Sequence, residues 1–92
     1  MIGYLEVEGI IYNAQSLKAK RSTLKKVITR IQNHFNVSVS ELDYQDLWQR
    51  TCIGVAHVSS DKVQAERVLQ EVIKVMDSVH EFEITNERLE WY

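Results

Sequence analysis

Apolar and polar side chains alternate from Ile2 to Tyr12, placing Leu5, Val7 and Ile11 on one side and Tyr4, Glu6, Glu8 and Ile10 on the other, which predicts a first strand. From Ser16 the period changes. In SLKAKRSTLKKVITRIQNHF, Ser16 to Phe35, the residues Leu17, Leu24, Val27, Ile28, Ile31 and Phe35 fall within an arc of roughly 100°, the width of a helix facing a core. Lys18, Arg21, Lys25, Lys26 and Arg30 occupy the rest of the circumference. Asn13 or Ser16 offers a side-chain oxygen to the free N–H groups of the first turn. The reciprocal capping box is incomplete, because Ala19 stands where its acidic member belongs. Lys20 alone among the cations points into the apolar arc, so it must reach past the helix end or meet a carboxylate.

His34 and Asn36 close this helix, with Asn36 suited to a left-handed terminal residue. Val37 and Val39 then alternate with Ser38 and Ser40, predicting a second strand over Val37 to Asp43. The segment DYQDLWQR, Asp43 to Arg50, leads into a third strand, Thr51 to Ser59. It lacks Asn-Gly and Asp-Gly, so the hairpin loop is expected to be longer than two residues or bulged. A second helix runs from Asp61 to about Val79, with Val68, Leu69, Val72, Ile73, Val75, Met76 and Val79 at helical spacing and Asp61 with Gln64 as a capping pair. Phe82 and Ile84 alternate with Glu81, Glu83 and Thr85 as a fourth strand. Leu89 and Trp91 keep the alternation in the tail NERLEWY, which favours an extended tail over one that folds back.

Strand, helix, strand, strand, helix, strand is the split βαββαβ order of the ferredoxin-like α+β fold: two helices on one face of a four-stranded antiparallel sheet, a single domain over residues 1–92. Chain direction reverses at each connection. SLKAKR, DYQDLWQR and the link from the second helix to the fourth strand therefore meet at one end, where Asp43 or Asp46 is the expected partner of Lys20, ahead of Glu6 or Glu8.

The totals narrow the class. Ninety-two residues bury about 60–65% of the surface of the unfolded chain, an adequate but thin core. A single cysteine, Cys52, excludes an internal disulfide and suits a reducing compartment. No apolar run approaches the roughly 20 residues of a membrane span, and the start of the chain reads as strand, not export signal, so a cytoplasmic location is expected. The formal net charge is −2, yet no Asp or Glu occurs between Glu8 and Glu41. The first helix is thus locally basic in a mildly acidic chain.

That asymmetry is the main candidate chemistry. Lys18, Lys20, Arg21, Lys25, Lys26 and Arg30, with the N–H groups and dipole at the helix start, form an expected anion site able to hold RNA phosphates. The competing reading is a solvated helix face, neutralised in its first turn by Asp43 and Asp46. Tyr44 and Trp48 either stack on bases or anchor a partner, or else pin the hairpin by packing over the end of the core. Glu6 and Glu8 on the open face of the first strand exclude the sheet-surface RNA readout of RRM domains. Cys52, His34, His57 and His80 lack metal-ligand spacing, Glu81 and Glu83 read as edge solubility, and there is no glycine-rich phosphate loop. No metal, no cofactor and no catalytic residue is expected. The third strand alternates Ile53, Val55 and His57 against Cys52, Gly54, Ala56 and Val58, so either register leaves an apolar strip on the open sheet face, extended by Tyr4 and Ile10. That strip predicts a homodimer unless the tail covers it.

The signature segments Ser16–Arg21 and Asp43–Arg50, together with FNVSVSELDYQDLWQRTCIGVAHVSS over Phe35–Ser60, resemble the YlxP family of small bacterial proteins of unassigned biochemical function. The resemblance extends over essentially the whole chain. Ala19 departs from the usual motif, where an acidic residue is expected, and bears only on the helix cap. The family's usual gene neighbourhood of translation initiation and ribosome maturation implies RNA or ribosome association. The resemblance brings the same ferredoxin-like fold and no catalytic residues. Two functions follow as expectations: a non-catalytic RNA- or ribosome-associated factor acting through the first helix, or a homo-oligomeric module binding a small ligand or a protein on the open sheet face.

Overall fold

In the computed structural model, which describes all residues from Met1 to Tyr92, the order is β1 (Ile2–Ile11), α1 (Leu17–His34), β2 (Ser38–Asp43), β3 (Arg50–Val58), α2 (Lys62–Asp77) and β4 (Phe82–Trp91). The strands form one antiparallel sheet in the order β2-β3-β1-β4, the ferredoxin-like arrangement expected from the pattern. Both helices cover the same face.

Register decides which side of each strand is inside. Leu5 pairs with Val55 and Val7 with Ile53, while Val55 pairs with Val39 and Ile53 with Glu41. These positions face the helices. Leu5, Val7, Ile53 and Val55 meet Leu24, Val27 and Ile31 of α1 and Leu69, Val72 and Met76 of α2 in one core. Each such aliphatic side chain, fully removed from water, contributes about 1.5–3 kcal/mol before the entropy of ordering is set against it.

The helix ends depart in detail from the sequence expectation. Ser16 caps α1, its Oγ accepting from the Ala19 N–H at 3.0 Å. Asn36 is not left-handed. Phe35 closes the helix in extended conformation, and the two non-glycine residues with positive φ are Asn13 (62°) and Tyr44 (64°), both in connections at the α1-start end of the sheet. Asp61 caps α2 by accepting from the Val63 N–H at 3.0 Å, but Gln64 does not reciprocate. The Asp61 N–H instead donates to Ser59 Oγ.

The tail NERLEWY continues β4 as an edge strand along β1. Between Glu8↔Asn86 and Gly9↔Ile84 the register slips, leaving Thr85 as the extra residue of a bulge. Thr85 turns its hydroxyl to the Glu8 carbonyl at 3.2 Å. Glycine is required alongside: a Cβ on Gly9 would lie 2.5 Å from the Phe82 ring and 2.9 Å from the Glu83 carbonyl.

Candidate nucleic-acid interface

At the end of the sheet where α1 begins, Lys20 enters the core side of the helix and is wholly buried (0% exposed). Its Nζ lies 3.0 Å from Glu41 Oε2 and donates to the Tyr44 carbonyl, while Glu41 Oε2 also accepts from Thr51 Oγ1 at 2.7 Å. The expected pairing with Asp43 or Asp46 is therefore corrected to Glu41, 17% exposed beneath the helix. The β2 alternation held the signal, since Glu41 continues the inward series Val37, Val39. Asp43 lies past a register shift that separates it from Glu41, and its carboxylate caps the Tyr44 N–H at 2.7 Å. A lysine enclosed by two such acceptors cannot also hold a phosphate, so Lys20 leaves the basic set.

The remaining five cations do not lie on one track. Relative to Lys20, and at 100° per residue, Lys18, Arg21 and Lys25 lie about 100–160° to one side, whereas Lys26 and Arg30 lie about 80–120° to the other. Lys26 reaches Glu81 at 3.2 Å, which turns its flank toward the α2–β4 link. The Glu81 carboxyl titrates below its usual range because its own backbone N–H donates to it, with the Lys26 ammonium adding to the effect. Lys18, Arg21 and Lys25 are exposed, and no carboxylate lies within 4.0 Å of any of them. Direct neutralisation by Asp43 or Asp46 is absent, and the first turn of α1 contains no acid.

The β2–β3 hairpin closes over the start of α1. The Tyr44 carbonyl accepts from Lys20 Nζ and from the Leu47 N–H, and its ring carries the Arg50 guanidinium 4.0 Å from the ring centre. Gln49 donates from its side chain to the Ala14 carbonyl at 3.2 Å and accepts at its own carbonyl from the Ile11 N–H at 2.9 Å. Trp48 is 53% exposed and its indole N–H has no protein acceptor; neither it nor Tyr44 belongs to the core. Polar anchors therefore pin this hairpin, and the expected packing of its aromatics over the core end is corrected.

The other reactive side chains have structural partners. The His57 Nδ1–H donates to the Asn36 carbonyl at 2.8 Å and the His34 Nδ1–H to the Arg30 carbonyl at 2.7 Å, as a carbonyl can only accept. Burial, then the Glu6, Glu8 and Asp43 carboxylates, push the Cys52 thiol upward, away from the reactive thiolate. On the open sheet face Arg88 bridges Glu6 (2.7 Å) and Glu90 (2.8 Å), and the Tyr4 hydroxyl donates to Glu6 at 3.0 Å. Burial and then Glu6 raise the Tyr4 phenol to about 12. Leu42 and Tyr4 converge over Gly54, so the apolar strip is narrower than expected. Besides Leu42, itself exposed, its exposed large side chains form one cross-strand row, Val58 (70% exposed), Ile2 and Tyr92 (70% exposed), at the end opposite the hairpin. No helix is long and apolar enough to cross a membrane.

A family model described as protein of unknown function (DUF503) matches residues 2–89. A relative in Bacillus subtilis (strain 168), the uncharacterized protein YlxP, is 56% identical over 92 residues, 100% of both chains. Among solved structures, the de novo designed protein Foldit4 superposes with a TM-score of 0.64 at 15% identity, covering 100% of this chain and 99% of that one. A C-terminal segment of the alpha subunit of aIF2 from Pyrococcus abyssi superposes with a TM-score of 0.55 at 17% identity, over 99% of this chain and 51% of that one. At such identities the two structures are similar in fold alone.

Proposed function

The chain belongs to the DUF503 family of proteins of unknown function, and we propose, on its own surface chemistry, that it is a non-catalytic cytoplasmic accessory factor that binds RNA, alone or on the ribosome, through Lys18, Arg21 and Lys25. The observation that carries the reading is three exposed cations on one flank of α1 with no acid within ion-pair distance, in a stretch free of Asp and Glu from Gly9 to Ser40. These three stay together on successive turns, a spacing suited to the phosphates of one strand. The family's association with translation genes points the same way. Lys26 and Arg30 lie on the other flank and supply long-range attraction rather than contacts.

The test is binding of structured RNA and of ribosomal subunits at low salt, with wild type against the triple variant Lys18→Glu, Arg21→Glu, Lys25→Glu. None of the three faces the core, so the variant folds and loses binding. Partial variants flatten the dependence of log affinity on log salt by about 0.7–0.9 per lost contact. No affinity in the wild type, or full affinity in the triple variant, defeats the proposal.

One observation favours a second reading. The row Val58, Ile2 and Tyr92 exposes large apolar side chains side by side, which suits a second copy of this chain.

A further inference from the structure

Resting on the phosphate-binding reading above, we infer that the β2–β3 hairpin is a base-stacking platform, and that the RNA recognised therefore carries an unpaired base, in a loop, bulge or end, beside the phosphates held by α1. Trp48 is the starting point. Its indole stands half out of the surface with Leu47 beside it in sequence, also exposed, and it has neither a hydrogen-bond acceptor nor an aromatic or cationic neighbour. It does nothing for the core, yet its support is rigid. The hairpin is held at Tyr44 by Lys20, at the Tyr44 N–H by Asp43, and at Gln49 by one bond to Ile11 at the end of β1 and one to Ala14 in the connection to α1. A ring presented on a fixed support loses little freedom when a ligand covers it.

Arg50 does not extend this surface: its guanidinium lies over Tyr44, and its pairing with Ile10 puts it on the open sheet face, away from α1, so the platform is the Trp48 indole. The charges around the ring decide which part of a nucleotide meets it. Asp43 and Asp46 are exposed in the same hairpin and repel phosphate, but they do not repel the face of a base. Phosphates are drawn to Lys18, Arg21 and Lys25 instead. The strand backbone thus follows α1 while a base turns toward Trp48, a geometry closed to a duplex, whose bases are already stacked on one another.

Trp91 lies at the other end of the sheet, so a Trp91→Phe protein carries Trp48 as its sole tryptophan. Titrating it at low salt with a single-stranded oligoribonucleotide, and with a duplex of the same length, reads the proposal directly. The single strand quenches the Trp48 emission and the duplex binds without quenching. In the wild-type background Trp48→Ala weakens single-strand binding by about five- to a hundred-and-fifty-fold, the worth of one stacked base, and Trp48→Phe retains most of it. Duplex affinity does not change. If single strand and duplex bind alike and Trp48→Ala has no effect, the platform is refuted while the α1 phosphate reading stands. If neither nucleic acid binds, both fall together.

Discussion

Tyr4 shows how one side chain ties the open sheet face to pH. Its phenol is half-buried, donates to Glu6 and is raised to about 12 from the usual 10.0, first by burial and then by that carboxylate. A raised value in the folded state means that its stabilisation is complete below pH 10 and is lost as pH rises through about 12. Alkaline titration should therefore destabilise the protein across that window. Tyr12 and Tyr92, raised by their hydrogen bonds to Glu83 and Glu90, act in the same direction. Tyr4→Phe should reduce the slope of stability against pH between 10 and 12 without abolishing it, as measured by urea unfolding at fixed pH. A slope identical to wild type would show that neither burial nor Glu6 holds the Tyr4 phenol above its usual value.

Between elements, the strongest single coupling is the Lys20 ammonium joining α1 to β2 and to the hairpin. Lys20→Ala leaves Glu41 beneath the helix with only Thr51 as partner and strips the Tyr44 carbonyl of one donor. Removing one member of a buried pair typically costs roughly 3–5 kcal/mol, and partial exposure of Glu41 places this case near the lower end. At about 4–8 °C per kcal/mol for a domain of this size, the midpoint should fall by more than about 10 °C. Lys26→Ala breaks only a surface pair with Glu81 and should leave the midpoint nearly unchanged. Thermal unfolding followed by circular dichroism compares the two. Equal midpoints for both variants would exclude the clasp, and with it the rigid hairpin on which Trp48 stands.

For the molecule as a whole, the charge of −2 means that RNA is attracted by orientation and not by total charge. The α1 flank is the basic pole, while Glu83, Glu87 and Glu90 line the β4 edge. The apolar row of Val58, Ile2 and Tyr92 sits at the far end from the hairpin, so self-association through it would leave the RNA surface free. Sedimentation at tens of micromolar should give a dimer mass that reverts to monomer in Val58→Lys. A monomer mass for the wild type would remove the second copy from the account.

The two periods along the chain determined the six elements, their order and the inward faces of β1, β3, α1 and α2, because each element must bury its one apolar side and only a sheet covered on one face by both helices does so. They also marked Lys20 as a buried cation, since a helix position cannot leave its arc. Its true partner was legible in principle, Glu41 being in step with Val37 and Val39, but a carboxylate reads as a surface residue until a buried lysine is placed above it. Helix arithmetic around Lys20 already sets Lys18, Arg21 and Lys25 on one side and Lys26 and Arg30 on the other. Only the docking of α1 beside the α2–β4 link decided which flank meets an acid, giving Lys26 to Glu81 and leaving Lys18, Arg21 and Lys25 unpaired. Whether Trp48 faced the core or the solvent could not be read from a loop that has no period. The tertiary structure decided it, because Lys20 and Gln49 satisfied the hairpin's anchoring through polar bonds and left the indole on the outside.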